Sequence, residues 1–558
     1  MKTRTLLTIL FGLSFVFCSS ASYGLSQQLL ARAPHDECFA GIGKPYPAMV
    51  SGTCPSGSTP KANQAYVWGQ TKSGTKVWFG TAANVLCLVM GAAFTTTPFV
   101  EPTYVCEFGS CSTKPPFLPA SVGDWRMPRI YYYDTATAQL VDKTPDKLTQ
   151  TAAYTLLSGT TGLRSAGTAG GVIFLAGPGL LPSVNMFAFD ASTGALLDFK
   201  SFTAYNDVRE WVVANNGLYV GVGTTTGGAV LKWTGSKSNL WSFDVVGNIP
   251  QEASNLAFHE NRIFVSTWPN VPGNFGLYMS PVLGANGLTT ADAAHWTKVW
   301  DISQYEPDQI VASVQAGGAL RSFGGYLFWG TMMVPMTGAI AAVNAKLNID
   351  ANGNGKIDIS EVINLMTGTS RAISIFRGKN FGTAAQQIDL AYGDANLHKY
   401  DPTQRAYVST PNAMGKAPLF GASGFGWPFN TYTWSMREYN NTLFIGTFDW
   451  SYVLANGGDQ LLASVFAGVL GNTSLTSQIA QAMHTVFGIT TSWEWGADLF
   501  MLVNSSIPGF PYSINGLGNN LNYGIRTLVS DDTGLYVGTA NPINLAPLGG
   551  WELYRIRK

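Results

Sequence analysis

A short apolar pattern recurs along the chain, and its spacing predicts the fold. Three apolar residues are followed by a small residue, as in Leu218-Tyr219-Val220-Gly221. The seven copies begin at Val77, Ile173, Leu218, Ile263, Leu327, Leu443 and Leu535. Successive copies are 96, 45, 45, 64, 116 and 92 residues apart, so the unit is about 45 residues long and the longer intervals contain insertions. A repeat of this length, built from short strands, is typical of the four-stranded blade of a β-propeller.

Turn residues precede each copy of the pattern. Examples are Asn215-Asn216-Gly217, Asn440-Asn441 and Asp531-Asp532-Thr533-Gly534. Asn, Asp and Gly tolerate the positive φ of two-residue hairpin turns, so the pattern is predicted to be the second strand of a hairpin. The glycine within the pattern is expected to let neighbouring sheets approach closely or to end the strand. The last unit ends one strand early, and we expect a strand near Gln64 to Trp68 to complete it.

The predicted fold is therefore all-β, a seven-bladed β-propeller over residues 25–558. Three insertions interrupt it: a Cys-rich loop at 85–125, a segment at 334–371, and a helical segment at 451–497. The third contains two apolar stretches, Leu461 to Leu470 and Ser474 to Phe487, that read as amphipathic helices packed on the ring.

The second insertion contains the clearest chemical motif of the chain. Residues 350–361 read D-A-N-G-N-G-K-I-D-I-S-E, and this run resembles the EF-hand family over the twelve residues of its calcium loop. The resemblance implies bound Ca²⁺ and assigns the metal ligands as Asp350, Asn352, Asn354, the Lys356 carbonyl, Asp358 and Glu361. Helices are expected at Met336 to Leu347 and Ile359 to Met366, with Gly368 ending the second. A lone loop of this kind suits a structural role, and a calcium-free turn is the alternative.

The N-terminus and the cysteines predict an exported protein. Lys2 and Arg4 precede the apolar run Leu6 to Phe17, and small residues follow, so residues 1–24 are expected to be a signal peptide. The run is too short for a good transmembrane helix, and none is expected in the mature chain. A periplasmic, extracellular or cell-surface location follows. The mature chain keeps five cysteines, which predict two disulfides and one thiol with the pairing open: Cys38, Cys54, Cys87, Cys106 and Cys111.

Charge excludes some partners. Only 12% of residues are charged, against roughly 25% in typical proteins, and the 33 basic residues balance the 33 acidic ones. Nothing here favours nucleic acid as a partner. The sequence contains no H-E-x-x-H, G-x-S-x-G or P-loop motif, and its five histidines do not pair at metal-binding spacing. We therefore assign no catalytic and no cofactor-binding residue.

Polar and aromatic residues just before the repeated pattern are the candidate binding residues, because such positions line the channel of a propeller. Arg164, Arg209 and Arg526 each lie nine residues before a copy. The other candidates are Asp207, Glu210, Trp211, Glu252, Asn255, Tyr305, Glu306, Asp308, Trp434, Arg437, Glu438 and Tyr523. They could bind a glycan or a protein ligand, or satisfy one another as a ring of ion pairs. The carboxylates could also serve a hydrolase or lyase that acts on polysaccharide.

The C-terminal part of the chain resembles uncharacterised exported bacterial β-propeller proteins. The resemblance is carried by Asn522 to Leu528, Leu535 to Pro542 and Gly550 to Tyr554, and it implies a propeller but no activity. The hairpin Asp190 to Gly194 is faintly similar to quinoprotein repeats; their tryptophan docking pattern is missing, so no such cofactor is inferred. An outer-membrane β-barrel shares the low charge but is disfavoured by the 45-residue repeat. The leading hypothesis is a secreted calcium-binding β-propeller that acts as a binding module.

Overall fold

The computed structural model describes residues 24–93, 96–110, 118–456 and 495–558. Most of their regular structure is antiparallel β-sheet, which confirms the all-β prediction. Most of the predicted signal peptide, Cys111 and residues 457–494 of the third insertion, with both of its predicted helices, lie outside the described residues.

The strands group into antiparallel four-stranded units that follow one another along the chain. Before the first unit come β1 (Ser26–Arg32), β2 (Glu37–Phe39) and β3 (Thr59–Lys61). The first unit contains β4 (Gln64–Ser73) and β5 (Lys76–Ala83), then, after the small hairpin β6 (Phe99–Val100) and β7 (Val105–Cys106), β8 (Ile130–Asp134) and β9 (Gln139–Asp142). The second unit is β10 (Ser165–Ala169), β11 (Val172–Pro178), β12 (Val184–Asp190) and β13 (Leu196–Phe202).

Three more units continue the series. The third is β14 (Asp207–Ala214), β15 (Gly217–Thr224), β16 (Gly227–Trp233) and β17 (Phe243–Ile249). The fourth is β18 (Glu252–His259), β19 (Arg262–Trp268), β20 (Gly276–Met279) and β21 (Thr297–Asp301). The fifth is β22 (Ala316–Phe323), β23 (Tyr326–Met332), β24 (Ile375–Lys379) and β25 (Gln387–Tyr392), followed by the hairpin β26 (Asn396–Asp401) and β27 (Ala406–Pro411).

The remaining strands bring the two ends of the sheet series together. The sixth unit is β28 (Asn430–Tyr439), β29 (Thr442–Asp449), β30 (Leu499–Leu502) and β31 (Phe510–Ser513). The last is β32 (Gly524–Asp531), β33 (Gly534–Ala540) and β34 (Glu552–Arg557), and β1 pairs with β34 as its fourth strand. The expected closing strand near Gln64 to Trp68 is wrong, because those residues belong to β4 in the first unit.

Helices occupy the connections between strands. They are α1 (Val85–Ala93), α2 (Thr151–Ser158), α3 (Gln309–Val314), α4 (Thr337–Asn344) and α5 (Ile359–Thr369). Short 3₁₀ turns lie at Ala120–Val122, Thr290–Asp292, Ile302–Gln304, Ser423–Gly426 and Gly516–Gly518. Within the described ranges, no helix is long and apolar enough to cross a membrane.

The first strands of the units contact one another in cyclic order. Strand β4 contacts β10, the contacts continue through β14, β18, β22 and β28 to β32, and β32 contacts β4 again. Each unit buries apolar faces against its neighbours, as in a β-propeller, and the last unit contacts the first. The first strands therefore surround a central channel.

The turns and disulfides agree with the sequence. Asn215 and Asn216 both have positive φ (43° and 61°), as do Asn440 and Asn441 (50° and 55°), which is the geometry of tight hairpin turns. Two disulfides join Cys38 to Cys54 and Cys87 to Cys106, and both lie in the N-terminal region where the cysteines concentrate.

The glycine of the repeated pattern lies where consecutive units touch. A Cβ added at these glycines would come within 2.2–2.5 Å of the first strand of the following unit or of the residues just before it. The contacts are Gly80 with Leu163, Gly221 with Ala253, Gly330 with Thr433, Gly446 with Ile525 and Gly538 with Val67. The close-approach prediction is confirmed, and the last of these contacts joins the final unit to the first.

The contact between Gly538 and Val67 gives a test of ring closure. We expect Gly538→Ala to destabilise the protein by about 1–3 kcal/mol, because the added methyl group overpacks a buried site. Gly159→Ala is the matched control, since Gly159 has φ −100° and the nearest atom to its added Cβ is 3.6 Å away. Thermal unfolding followed by circular dichroism measures both; equal melting temperatures would show that the two ends do not pack as described.

Candidate functional site

The channel is lined by residues that β-bulges place there. The register of each first strand except β10 shifts where it pairs with the second strand. The unpaired positions hold Trp68 in β4, Arg209 and Glu210 in β14, Trp434 in β28 and Arg526 in β32. Bulges re-aim side chains, and here the re-aimed residues line a cavity.

The channel contains two adjoining cavities. The inner cavity has a volume of about 430 Å³, and every first strand of the ring contributes to its wall. The aromatic vestibule, of about 240 Å³, is lined by Tyr66, Trp268, Tyr432, Trp450 and Tyr523 together with apolar residues of α1 and residues 334–336. Both cavities share the wall residues Trp68, Arg164, Arg209, Met332 and Trp434. A molecule in the vestibule therefore lies directly against the inner cavity.

A chain of buried ion pairs lies at the boundary of the two cavities. Arg164 donates to Asp207 at 2.6 Å, Arg209 lies 3.4 Å from the same carboxylate, and Arg209 also donates to Glu252. Burial raises the pKa of Glu252, and the Arg209 guanidinium opposes that shift. This part of the site matches the alternative in which the charges satisfy one another.

Other charges of the inner cavity have no such partner. Within the described part of the chain, Arg321, Arg437 and Arg526 make no ion pair, and neither does Glu210. Among the residues that the structure describes, the Arg437 side chain donates to the Ser530 hydroxyl alone, at 3.0 Å. The Glu210 side chain is exposed to the channel. Enclosure by the channel walls raises the pKa of Glu210, although Arg526, Arg437 and Arg321 lower it. The channel charges therefore do not form a complete ring of ion pairs.

The structure places some candidates outside the channel. Tyr305, Glu306 and Asp308 do not line either cavity. Glu306 is fully buried and accepts two hydrogen bonds from Arg371, at 2.6 and 2.9 Å, while Asp308 caps the N-terminus of α3. Their assignment to the channel is wrong, and Glu306 instead binds Arg371 at the end of the second insertion.

Of the remaining candidates, some pack between units and others line the cavities. Trp211 lines the inner cavity and stacks on Phe174 of the preceding unit, with ring centroids 5.6 Å apart. Tyr523 lies in the vestibule and hydrogen-bonds to the hydroxyl of Tyr66. Asn255 donates to the Gly317 carbonyl at 3.2 Å beside the inner cavity, and Glu438 accepts from Ser530 through its backbone oxygen.

The predicted calcium loop lies between α4 and α5, close to the expected helix bounds. Helix α5 continues to Thr369, so Gly368 does not end it as predicted. Tyr407 packs where a Cβ of Gly368 would be, which explains why this position is a glycine. The Asp350 carboxylate accepts from the N–H groups of Asn354 and Gly355, at 3.1 and 2.9 Å.

Side chains at opposite ends of the loop meet. The Asn352 amide donates to Asp358 at 2.8 Å, and the Glu361 carboxylate accepts from the N–H groups of Asn352 and Asp358, at 3.2 and 3.0 Å. Asn354 accepts from the Lys356 N–H at 2.8 Å. Hydrogen bonds to Ser360 and to the loop lower the pKa of Asp358. Among the described residues, no group of three His, Cys, Asp or Glu side chains is arranged to hold a metal ion.

The loop is anchored on the hairpin β26–β27. Arg405 donates to the Asp350 carbonyl at 3.2 Å, and the Tyr400 hydroxyl donates to the Asn348 carbonyl at 2.5 Å. Asn364 of α5 exchanges two hydrogen bonds with the backbone of Tyr407, at 2.7 and 3.0 Å. The second insertion is thus fixed to the rest of the protein, and its residues 334–336 form part of the vestibule wall.

Sequence reasoning missed the aromatic vestibule and Arg321. Trp68 precedes a copy of the repeated pattern by nine residues, the same offset as Arg164, Arg209 and Arg526, so this offset could have identified it. Trp434 has the same offset from Leu443 and was identified. Trp268 instead follows its copy, and nothing in the repeat signals its place in the vestibule.

Comparisons with known proteins add little. No family model and no curated protein matches the chain. The Streptomyces coelicolor aldose sugar dehydrogenase in its PQQ-bound form is 8% identical over 76% of this chain and 92% of that chain, with a TM-score of 0.29. The β-propeller domain of the trilobed protease from Pyrococcus furiosus is 8% identical over 61% and 87%, with a TM-score of 0.26.

A third likeness is partial on both sides. Hydrazine synthase from Kuenenia stuttgartiensis is 9% identical over 28% of this chain and 46% of that chain, with a TM-score of 0.21. The chain thus spans about half the length of that protein. At such scores the likenesses carry no functional argument, and the propeller-like architecture rests on the strand pairing described above.

The buried ion pairs predict a difference between two glutamates of the channel. We expect Glu252→Gln to destabilise the protein by about 3 kcal/mol. Arg209 would then keep only one counter-ion, Asp207, which it shares with Arg164. Glu210→Gln, the matched control, removes no ion pair and should cost less than about 1 kcal/mol. Guanidinium denaturation measures the difference; an equal loss in both variants would contradict the ion-pair assignment.

Proposed function

We propose that the protein is an exported, seven-bladed β-propeller that acts as a binding module and takes its ligand in the central channel. The cyclic contacts of the first strands support seven blades, with β1 completing the last one. The two disulfides support export, because such bonds persist in oxidising compartments. The predicted signal peptide supports the same location.

The observation that carries this proposal is the set of unneutralised charges beside an apolar cavity. Guanidinium groups without a counter-ion destabilise a folded protein when they are removed from water. Arg321, Arg437 and Arg526 nevertheless converge on one cavity, and the neighbouring vestibule exposes aromatic rings. A concave apolar site with a few converging polar groups is the usual form of a ligand site. The three arginines are partly exposed to the cavity and make no ion pair among the described residues, so their guanidinium groups can donate to a ligand.

A structural calcium site in the second insertion is the second part of the proposal. Three carboxylates, two amides and the Lys356 carbonyl give an all-oxygen donor set, which suits Ca²⁺. In the structure Asn352 turns its NH₂ group toward Asp358, so coordination through its oxygen requires that side chain to rotate. Bound calcium would neutralise the acidic loop and rigidify the insertion whose residues 334–336 line the vestibule.

The alternative is a hydrolase or lyase that acts on polysaccharide. Glu210 favours it, since this carboxyl faces the inner cavity, has no ion pair among the described residues and has a raised pKa, as a general acid requires. Glu252 does not favour it, because Arg209 binds its carboxylate. We assign no catalytic residue.

Binding in the channel is tested with a panel of glycans, peptides and small acids. We expect ligands of the wild-type protein to lose at least about tenfold in affinity in Trp68→Ala, because Trp68 lines both cavities. Trp296→Ala is the control, since Trp296 lies just before β21 and packs on Gly247 of the outer strand β17, away from both cavities. Ligands that bind both variants equally would place the binding surface elsewhere. If the wild-type protein releases products from a polysaccharide, and Glu210→Gln loses this activity at an unchanged melting temperature, the hydrolase or lyase alternative would be established instead.

Calcium binding is tested by titration and chelation. We expect a dissociation constant of about 0.1–1 mM and a calcium-dependent rise in melting temperature. Glu361→Gln should weaken binding, because it removes the carboxylate expected to bind Ca²⁺ through both oxygens. Lys356→Ala should bind like wild type, since only its backbone carbonyl would be a ligand. Wild-type protein with no calcium-dependent shift and no heat of binding would rule out the site.

A further inference from the structure

Three arginine–tryptophan pairs lie at the boundary between the aromatic vestibule and the inner cavity. The guanidinium carbon of Arg164 lies 5.0 Å from the ring centre of Trp68, and that of Arg209 lies 4.5 Å from Trp268. The third pair is Arg526 over Trp434, at 5.4 Å. Each pair has at least one member on the wall that the two cavities share, while Trp268 lines only the vestibule and Arg526 only the inner cavity. Positive charge therefore meets aromatic surface where the two cavities adjoin.

The three arginines are not equivalent. Asp207 and Glu252 neutralise Arg164 and Arg209 through the buried ion pairs. Arg526 has no acidic partner within 4 Å among the described residues, and its Nε is buried without a hydrogen bond. Burial, together with repulsion from Arg164 and Arg209, lowers the pKa of Arg526 to about 9. The Arg526 guanidinium therefore has donors that no protein group satisfies among the described residues, and an anion beside it could accept from them.

The inner cavity adds further positive charge. Burial and the neighbouring Arg321 lower the pKa of Arg437 to about 10. Glu210 is the one unpaired carboxylate among the described residues of the cavity wall, and it faces three unpaired arginines. Glu438 lies outside the cavity wall, but its charge also acts on Arg321 and Arg437. Three arginines against the two carboxylates Glu210 and Glu438 still leave this part of the channel positive, so an incoming anion is favoured over a cation.

The vestibule restricts the rest of the ligand. Its exposed surface is almost entirely apolar, and the hydroxyls of Tyr66 and Tyr523 bond to each other. A sugar in this space would leave most of its hydroxyl groups without partners, which is costly. A flat apolar ring can instead lie against the aromatic side chains.

We propose that the channel binds an aromatic carboxylate, with its acid group on Arg526 and its ring in the aromatic vestibule. The inference rests on the proposed binding role of the channel and specifies its ligand class. Trp434 lines both cavities and the Arg526 guanidinium lies over its indole ring. The surface that contacts the aromatic ring of the ligand therefore adjoins the arginine that binds its acid group. Arg321 and Arg437 attract a second acid group where the ligand has one.

The test compares two ligands that have the same aromatic ring, one with a carboxylate and one with a neutral amide. The probes are 2-naphthoate and its neutral counterpart 2-naphthamide, titrated into wild type, Arg526→Gln and the control Arg555→Gln. Arg555 lies on β34 at the outside of the last unit and donates to Gln28. Isothermal titration calorimetry gives affinities, and tryptophan fluorescence reports contact with the vestibule.

We expect wild type to bind naphthoate at least about tenfold more tightly than naphthamide, because only the acid makes charge-assisted hydrogen bonds. Arg526→Gln should remove that preference while its melting temperature stays unchanged or rises, since no ion pair is lost. Arg555→Gln should bind as wild type does.

Three results would overturn the proposal. They are equal affinity for the acid and the amide, a preference for the acid that survives in Arg526→Gln, and no binding of either probe at about 1 mM. Binding of glycans or peptides that is lost in Trp68→Ala but unaffected by Arg526→Gln would overturn the ligand class and leave the binding role of the channel intact. No channel-dependent binding of any compound would overturn both.

Discussion

The close approach of neighbouring sheets at the repeated glycine is the constraint on which the rest of the structure depends. A four-stranded sheet exposes two apolar faces and cannot bury either alone, so each unit is stable only between two others. Gly80, Gly221, Gly330, Gly446 and Gly538 remove the Cβ atoms that would hold the sheets apart. The first strands can then stand close enough together to enclose a channel, and the bulges in those strands direct tryptophans and arginines into it.

The sequence predicted the parts of the fold that repeat. Asn-rich turns and the apolar pattern recur with a fixed offset, so the hairpins and the channel-facing arginines could be located. The closing strand could not, because Ser26–Arg32 is mostly exposed at a sheet edge and carries no copy of the pattern. Tyr305, Glu306 and Asp308 were misplaced because a short helix, α3, separates them from the strand they precede. The fully buried Glu306 shows the reason, since its partner Arg371 is 65 residues away and local spacing does not report such a contact.

The candidate calcium loop and the channel are physically connected through one apolar core. Residues of α4 and α5 pack with Met90 of the first insertion, with Trp450 and with Tyr66 of the first strand. The motif was the clearest chemical signal in the sequence, and the unpaired arginines were among many plausible charges. In the structure the arginines are the more informative of the two. Charges without an ion pair inside a channel point to a ligand, whereas an oxygen-rich loop on the surface suits a structural role.

The pairing of β1 with β34 has a consequence for how the chain acquires its structure. The paired residues Ser26 and Arg557 are 531 positions apart, so the final blade cannot form before nearly the whole chain is available. Until then the ring is an open arc with an uncovered sheet at each end. Such long-range pairing is slow, because loop-closure entropy is lost before the contacts form. The last step of folding therefore joins the two ends of the chain, and the unfinished ring keeps its first and last sheets uncovered until that step is complete.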